Sequence, residues 1–261
     1  MKTISQYFGN LCSEKYKTLG FYKRSIALGR IRNDILQTFS LKLYYRAPFC
    51  TVQFAVSPLC MPYPIHIDTG VYELDQFMAG MHEERLGWVY DKNSEDSMIA
   101  CVQSISNAID IYLLPFFDSC CDCKSSLEEM IKLEKLLDNN RKQWLHRIGE
   151  QDKAAPLQEL SLFDSRKYYM ALKSNNWNYA YQYLDHQIKS CKSSLKSFDD
   201  PNGPKQPNIV KERYIQSLAE YSEQMDKLQS QDYCYFIKLV DYNEKQMKEF
   251  LATKYPKLRQ G

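Results

Sequence analysis

Residues 21–58 read "FYKRSIALGRIRNDILQTFSLKLYYRAPFCTVQFAVSP", and this stretch decides the fold class. From Ile35 onward the side chains alternate. Ile35, Gln37, Phe39, Leu41 and Leu43 fall on one side, and Leu36, Thr38, Ser40 and Lys42 on the other. A repeat of two is the period of a strand, and the contrast between the two sides predicts one buried face. "RND" before this run and "RAP" after it are turn signals. The segment therefore predicts a meander of three strands at about 22–31, 34–44 and 50–57.

On the N-terminal side, Ile4, Tyr7, Phe8, Leu11, Tyr16 and Leu19 recur at helical spacing, which predicts a helix over 4–19 stopped by Gly20. On the other side, "PLCMPYPIHIDTG" (58–70) holds three prolines in eight positions and reads as loop or edge. A short helix near 71–81 and a strand near 88–90 complete the sheet region. Ser94, with Glu95 and Asp96 behind it, opens a helix whose stripe is Met98, Val102, Ile105, Ile109 and Tyr112, and Pro115 kinks or ends it. Ser125 and Glu128 form a capping box for the next helix, which buries Leu127, Met130, Ile131 and Leu137 before "DNN" at 138–140 interrupts it.

The polar stretch "GEQDKAAPLQE" (149–159) marks a boundary between an α+β sheet domain, residues 1–150, and a helical region, residues 151–261. Beyond it, "DSRKYYMALKSNNWNYAYQYLDHQI" reads as a helical hairpin turning at Asn175–Asn176, with Trp177, Ala180 and Leu184 on one face. One such hairpin resembles a repeat unit, but no second copy follows. "KSFDDPNGPKQPN" is a cluster of helix breakers and reads as a mobile surface loop. From Ile209 to Tyr255 there is neither Gly nor Pro. Tyr214, Leu218, Tyr221, Met225 and Leu228 step by four and three as in a coiled-coil seam, and Tyr235, Leu239 and Tyr242 resume it after Asp232. Two antiparallel helices turning near "SQDY" fit a compact chain better than one long helix.

Composition bounds the function. At 261 residues, 44% apolar and 25% charged, the chain is globular, and its 20 tyrosines are the oddity. The N-terminus lacks the apolar core of a signal peptide, and no window is apolar enough to predict a membrane span. Nine cysteines, most of them single within apolar runs, fit a reducing cytoplasm better than a disulfide framework. A net charge of +2 argues against nucleic acid as a partner. The charge is uneven, however. Residues 1–47 hold nine Lys/Arg against Glu14 and Asp34, while 68–150 leans acidic, so the two segments are expected to neutralise each other on packing.

Two features carry candidate chemistry. "FFDSCCDCKSS" (116–126) places Cys120, Cys121 and Cys123 in four positions. A structural zinc site wants a second close pair, and none is present. The C-x-x-C count of a redox motif is met, but Asp118 and Asp122 would raise the thiol pKa, so packing is the expected role. Arg24, Arg30, Arg32 and Arg46 flank the strand turns, and on one open face their forks could hold a carboxylate or phosphate. His66-x-Asp68 and "HEE" at 82–84 lack the partners of a metal or hydrolase site, and there is no glycine-rich phosphate loop. No cofactor is implied.

Gly20-Phe21, Lys23, Arg30, Leu36-Gln37 and the later "YLLPFFDS" resemble the opening of a bacterial family known only as a domain of unknown function. The likeness covers about residues 1–150. It implies an α+β sheet domain, with no established activity and no catalytic residues to carry over. The expectation is then a cytoplasmic, non-enzymatic protein-interaction module, of which an immunity protein that neutralises a toxin would be one instance. The alternative is an enzyme or small-anion binder using the strand-borne arginines, with or without a thiol.

Overall fold

In the computed structural model, residues 2–24, 27–44, 48–62, 72–78, 87–147, 164–198 and 207–258 are described. The chain is α+β, with an antiparallel sheet in its N-terminal part and an all-helical C-terminal region.

Thr3 caps helix α1 (Ile4–Lys15) in a reciprocal box with Gln6, and a single 3-10 turn, Lys17–Leu19, ends at Gly20. Gly20 sits at φ 81°, where a side chain would be strained. Four strands follow: β1 (Tyr22–Arg24), β2 (Ala27–Arg32), β3 (Ile35–Leu43) and β4 (Phe49–Pro58). The expected first strand is therefore two. Tyr22 pairs with Gly29 and Arg24 with Ala27, so the chain reverses within the predicted strand. Asn33, at φ 54°, makes the β2–β3 turn, a left-handed position that asparagine tolerates.

The sheet runs β1-β2-β3-β4-β5. Strand β5 (Tyr72–Glu73) and a further short strand, β6 (Trp88–Val89), pair in succession with the outer edge of β4. Of the helix expected over 71–81, the described residues are the strand pair of β5 followed by α2 (Leu74–Met78). Gly87, at φ 89°, lets β6 approach β4, since a Cβ there would lie 2.7 Å from the Cys50 carbonyl.

One face of the sheet carries Leu28, Ile35, Phe39, Leu41, Cys50, Val52, Phe54 and Val56, packed with Ile4, Phe8 and Cys12 of α1 and with the next helices. Ser94 caps α3 (Glu95–Ala108) as its sequence predicts. Pro115 does not end that helix. The chain widens into a π-turn at Ile109–Leu113, where Leu114 N–H donates to Ile109 O, and continues as α4 (Leu114–Ser119). Proline has no N–H for the normal bond to Ile111 O, so a wide turn loses little there. By length and composition Glu95–Ser119 is apolar enough to cross a membrane, but Met98, Val102, Ile105, Ile109, Leu113 and Phe117 are buried in the protein's own core.

The opposite face is also buried, against expectation. Ile31 and Leu36, with Leu59, pack against Met247 and Leu251 of the last helix, and Thr38 and Ser40 are buried too. The polar-looking side of β3 was expected to face water. It does not, because the far end of the chain returns to cover it.

Helix α5 (Cys123–Arg147) runs through 138–140 without a break, aided by an i,i+4 ion pair between Lys142 and Asp138. The expected boundary at 149–159 lies outside the described residues. Among the described residues, helices α6 (Ser165–Lys173), α7 (Trp177–Phe198), α8 (Asn208–Gln229) and α9 (Tyr233–Lys254) follow. Asn175 at φ 57° and Gln231 at φ 58° make the two turns, the second settling 209–255 as two helices. Tyr168, Met170, Ala171, Leu184, Met225 and Phe236 join the buried cluster that includes the sheet. Of the breaker stretch, Lys196 to Phe198 end α7 and Pro207–Asn208 open α8, and 199–206 lie outside the described residues.

Where β4 meets α2, Asp75 is buried and accepts a hydrogen bond from the Thr51 hydroxyl. Burial raises its carboxyl above the usual aspartate value. The folded protein then holds this proton more tightly than the unfolded chain. Stability from this group rises as pH falls from the raised value toward the ordinary one, and its charge costs stability at neutral pH. Asp75→Asn keeps the acceptor for Thr51 and removes the charge. It should melt higher than the parent at neutral pH, with the gain vanishing below the ordinary carboxylate range, as thermal melts of both proteins across pH would show.

Candidate functional site

The structure brings two of the four strand arginines and the cysteine cluster to one place. Arg30 and Arg32 project from β2 toward the turn between α4 and α5. Arg30 Nη2 and Arg32 Nη1 both donate to Asp118 Oδ1, at 2.7 and 2.8 Å. Arg30 Nε donates to Gln37 Oε1 at 2.6 Å, its Nη1 to Leu19 O at 3.3 Å, and its guanidinium lies 4.6 Å from the centre of the Phe21 ring. The Arg30 fork is therefore already engaged, and Arg32 is the more exposed of the two. Arg24 lies at the end of β1, paired with Ala27. Arg46, His66-x-Asp68 and His82 lie outside the described residues.

The cysteine turn is gripped by side chains of the β2–β3 hairpin. Gln37 Nε2 donates to Phe117 O at 2.5 Å and to Cys120 O at 2.9 Å, and Asn33 Nδ2 donates to Cys121 O at 2.8 Å. Cys120 is buried, and burial pushes its thiol up to about 12. Cys123, the first residue of α5, is also buried, and its hydrogen bond with Cys60 adds to desolvation in raising its thiol. A helix N-terminus favours a thiolate, but here burial and a thiol partner outweigh the dipole. Cys121 is half-buried, its Sγ 3.4 Å from Ser125 Oγ. Among the described residues, no group of three or more His, Cys, Asp or Glu side chains is placed to hold a metal ion. The helix cap is also one turn earlier than expected. Asp122 Oδ1 accepts from Ser125 N–H, and Ser125 Oγ accepts from Asp122 N–H, which holds the Asp122 carboxyl below its usual value.

Among the described residues, four cations of the basic N-terminal segment pair with acids of the 68–150 block, as expected. Lys15 pairs with Asp110, Arg30 and Arg32 with Asp118, and Lys42 with Glu73. These are contacts of assembly. They join α1 and the strands to the elements that cover or edge the sheet.

A second polar centre lies where β5, α5 and α6 meet. Lys167 is fully buried, and its Nζ donates to both carboxylate oxygens of Glu134 at 2.5 Å. Tyr72 OH donates to Glu134 Oε1 at 2.9 Å. Burial pushes the Lys167 ammonium below its ordinary value, with Glu134 opposing the shift. Beside it, Asp164 accepts from Arg166 N–H, while Asp164 Oδ2 and Arg166 Nη1 are buried with no hydrogen-bond partner among the described residues. None of these residues stands out by sequence motif. The available signal was periodicity. Glu134 continues the stripe of Leu127 and Met130, and Lys167 sits four residues before buried Ala171, so each helix places a charge where an apolar residue is expected.

The third feature is an arm. Helices α7 and α8 are 22 residues each, roughly 33 Å long at the α-helical rise, and pack against each other. Between them, the described residues beyond Cys191 on α7 and before Met225 on α8 include no fully buried side chain. Phe198 and Tyr214 meet edge to face near the tip, 6.1 Å apart, while Ile209 and Ile215 stay exposed. Among the described residues, the outer half of the arm carries Lys189, Lys192, Lys196, Lys211 and Arg213 with Glu212, and Lys189 pairs with Asp185 one turn back on α7. Compared with family models, curated proteins and solved structures, the chain matches none.

Proposed function

We propose that the chain acts by binding another protein, and that the outer half of the α7–α8 arm grips an acidic surface of that partner. The observation carrying this reading is an arm whose described residues beyond Cys191 and before Met225 include no fully buried side chain, and which presents exposed isoleucines among lysines and an arginine. Apolar side chains at the centre of a contact with cations around them suit association with an acidic protein. The arginines of β2 support it less well as an anion site, because Asp118 already accepts from both and Gln37 also accepts from Arg30.

The test is affinity capture from extracts of cells that make the protein, with the intact chain as bait beside a variant carrying Lys192→Glu, Lys196→Glu and Arg213→Glu. An acidic protein should be retained by the parent, released by salt and lost from the variant. The two baits should differ in stability by no more than about 0.5 kcal/mol, since the three positions are exposed. Retention that ignores the reversals, or that is lost instead on Arg32→Ala, would overturn the assignment to the arm.

A further inference from the structure

Cysteine is ordinarily a small buried apolar residue, and most cysteines here behave that way. Cys50 and Cys101 touch each other, as Cys60 and Cys123 also do. Cys50 points from β4 into the core, Cys101 lies on the facing stripe of α3, and their sulfurs are 3.9 Å apart. Both are free thiols. Both side chains are buried, Cys50 at 0% and Cys101 at 6% exposure. β6 holds this corner through two ladder pairs, Phe49 with Val89 and Cys50 with Trp88, and Val89 itself is exposed.

We propose that Cys50 and Cys101 form a redox pair that closes to a disulfide between β4 and α3 when the protein meets hydrogen peroxide. Cys101 is the attacking sulfur. It is the less buried of the two, and the Cys50 thiol hydrogen-bonds to it, which lowers its pKa. Its thiolate attacks one peroxide oxygen and the O–O bond breaks. The departing hydroxide takes up a proton as water, leaving Cys101 as a sulfenic acid. The Cys50 sulfur then attacks the Cys101 sulfur. The S–S bond forms, the S–O bond breaks, and the hydroxide leaves as a second water with the Cys50 proton. The two thiols lose two electrons and the peroxide gains them. A dithiol returns the pair to its reduced form by exchange.

Closing the pair tightens the corner where Trp88 sits, since Cys50 Sγ lies 3.7 Å from Trp88 O and the indole N–H donates to Ser104 of α3. That gives an optical readout, because a new disulfide beside an indole quenches its emission.

The experiment treats the folded chain with hydrogen peroxide, alkylates the remaining thiols under denaturing conditions and maps the peptides. The protein should lose two of its nine alkylatable thiols, the Cys50 and Cys101 peptides should be joined, and dithiothreitol should restore both thiols and the emission. In Cys50→Ser, Cys101 should instead be trapped as a sulfenic acid by dimedone, and Cys101→Ser should give neither product. The peptide map of the parent stands even if a serine variant folds poorly. No joined peptide, a bridge mapped to Cys60 and Cys123, which also hydrogen-bond, or a bridge that forms only after far-UV circular dichroism is lost would overturn the proposal.

Discussion

Lys167→Met is expected to lower the free energy of unfolding by roughly 3–5 kcal/mol, the usual cost of removing one partner of a buried ion pair. The size of the effect follows from where the cation sits. Its ammonium is fully buried and answers both oxygens of Glu134, which also accepts from Tyr72. Methionine fills much of the same volume, so the loss is mainly that of a carboxylate left in a poorly hydrated place. The partner experiment separates charge from packing. In Lys167→Met combined with Glu134→Leu, no ion remains to be solvated, and most of the lost stability should return. Urea denaturation of the three proteins measures both numbers. A single variant within about 1 kcal/mol of the parent would mean that water reaches Glu134, and the buried-pair account would fail.

A loss of similar size is expected for Phe39→Ala, by a different mechanism. Phe39 stands at the middle of β3, and its ring meets Phe8 and Phe117 at 6.4 Å, Tyr16 at 5.8 Å and Phe21 at 5.2 Å. Truncation leaves a void with walls on α1, the strand and α4, elements held by their own hydrogen bonds and unable to collapse inward. Large-to-small changes at such sites cost about 3–5 kcal/mol. Phe39→Leu should recover a large part of this by refilling the void, whereas Tyr22→Ala on the half-buried edge strand should cost far less. Unfolding midpoints in denaturant rank the three.

The same residues show what the sequence could disclose. The strand period at Ile35–Leu43, the Ser94 cap, the Asn175 turn and the paired final helices were all legible, because each is set by neighbours within a few positions. The β1–β2 hairpin was not, since Tyr22 to Leu28, where the chain reverses, contains no Gly, Pro or Asn to announce it. The burial of Leu36 depends on Met247 and Leu251, and no local pattern records a cover from the other end of the chain. At the arginine and cysteine cluster, residue types were visible but partners were not. Asp118 and Gln37 are what turn two candidate anion ligands into a brace for the α4–α5 turn. The Lys167 centre escaped because a charge on an apolar stripe looks like noise until its counter-ion is found on another helix.

The π-turn at Ile109–Leu113 changes what Phe117 is for. Each helical residue advances about 100° around the axis, so an uninterrupted helix would bring Phe116 onto the line of Ile105 and swing Phe117 well to the side. The extra residue in the wide turn sets the phase back by about one position. Phe117, fully buried, then faces Phe21, Phe39 and Phe54, while Phe116 turns toward Phe77. Helices α3 and α4 thus behave as two gears on one shaft, offset by a single tooth, and Pro115 is the pin that keeps the offset.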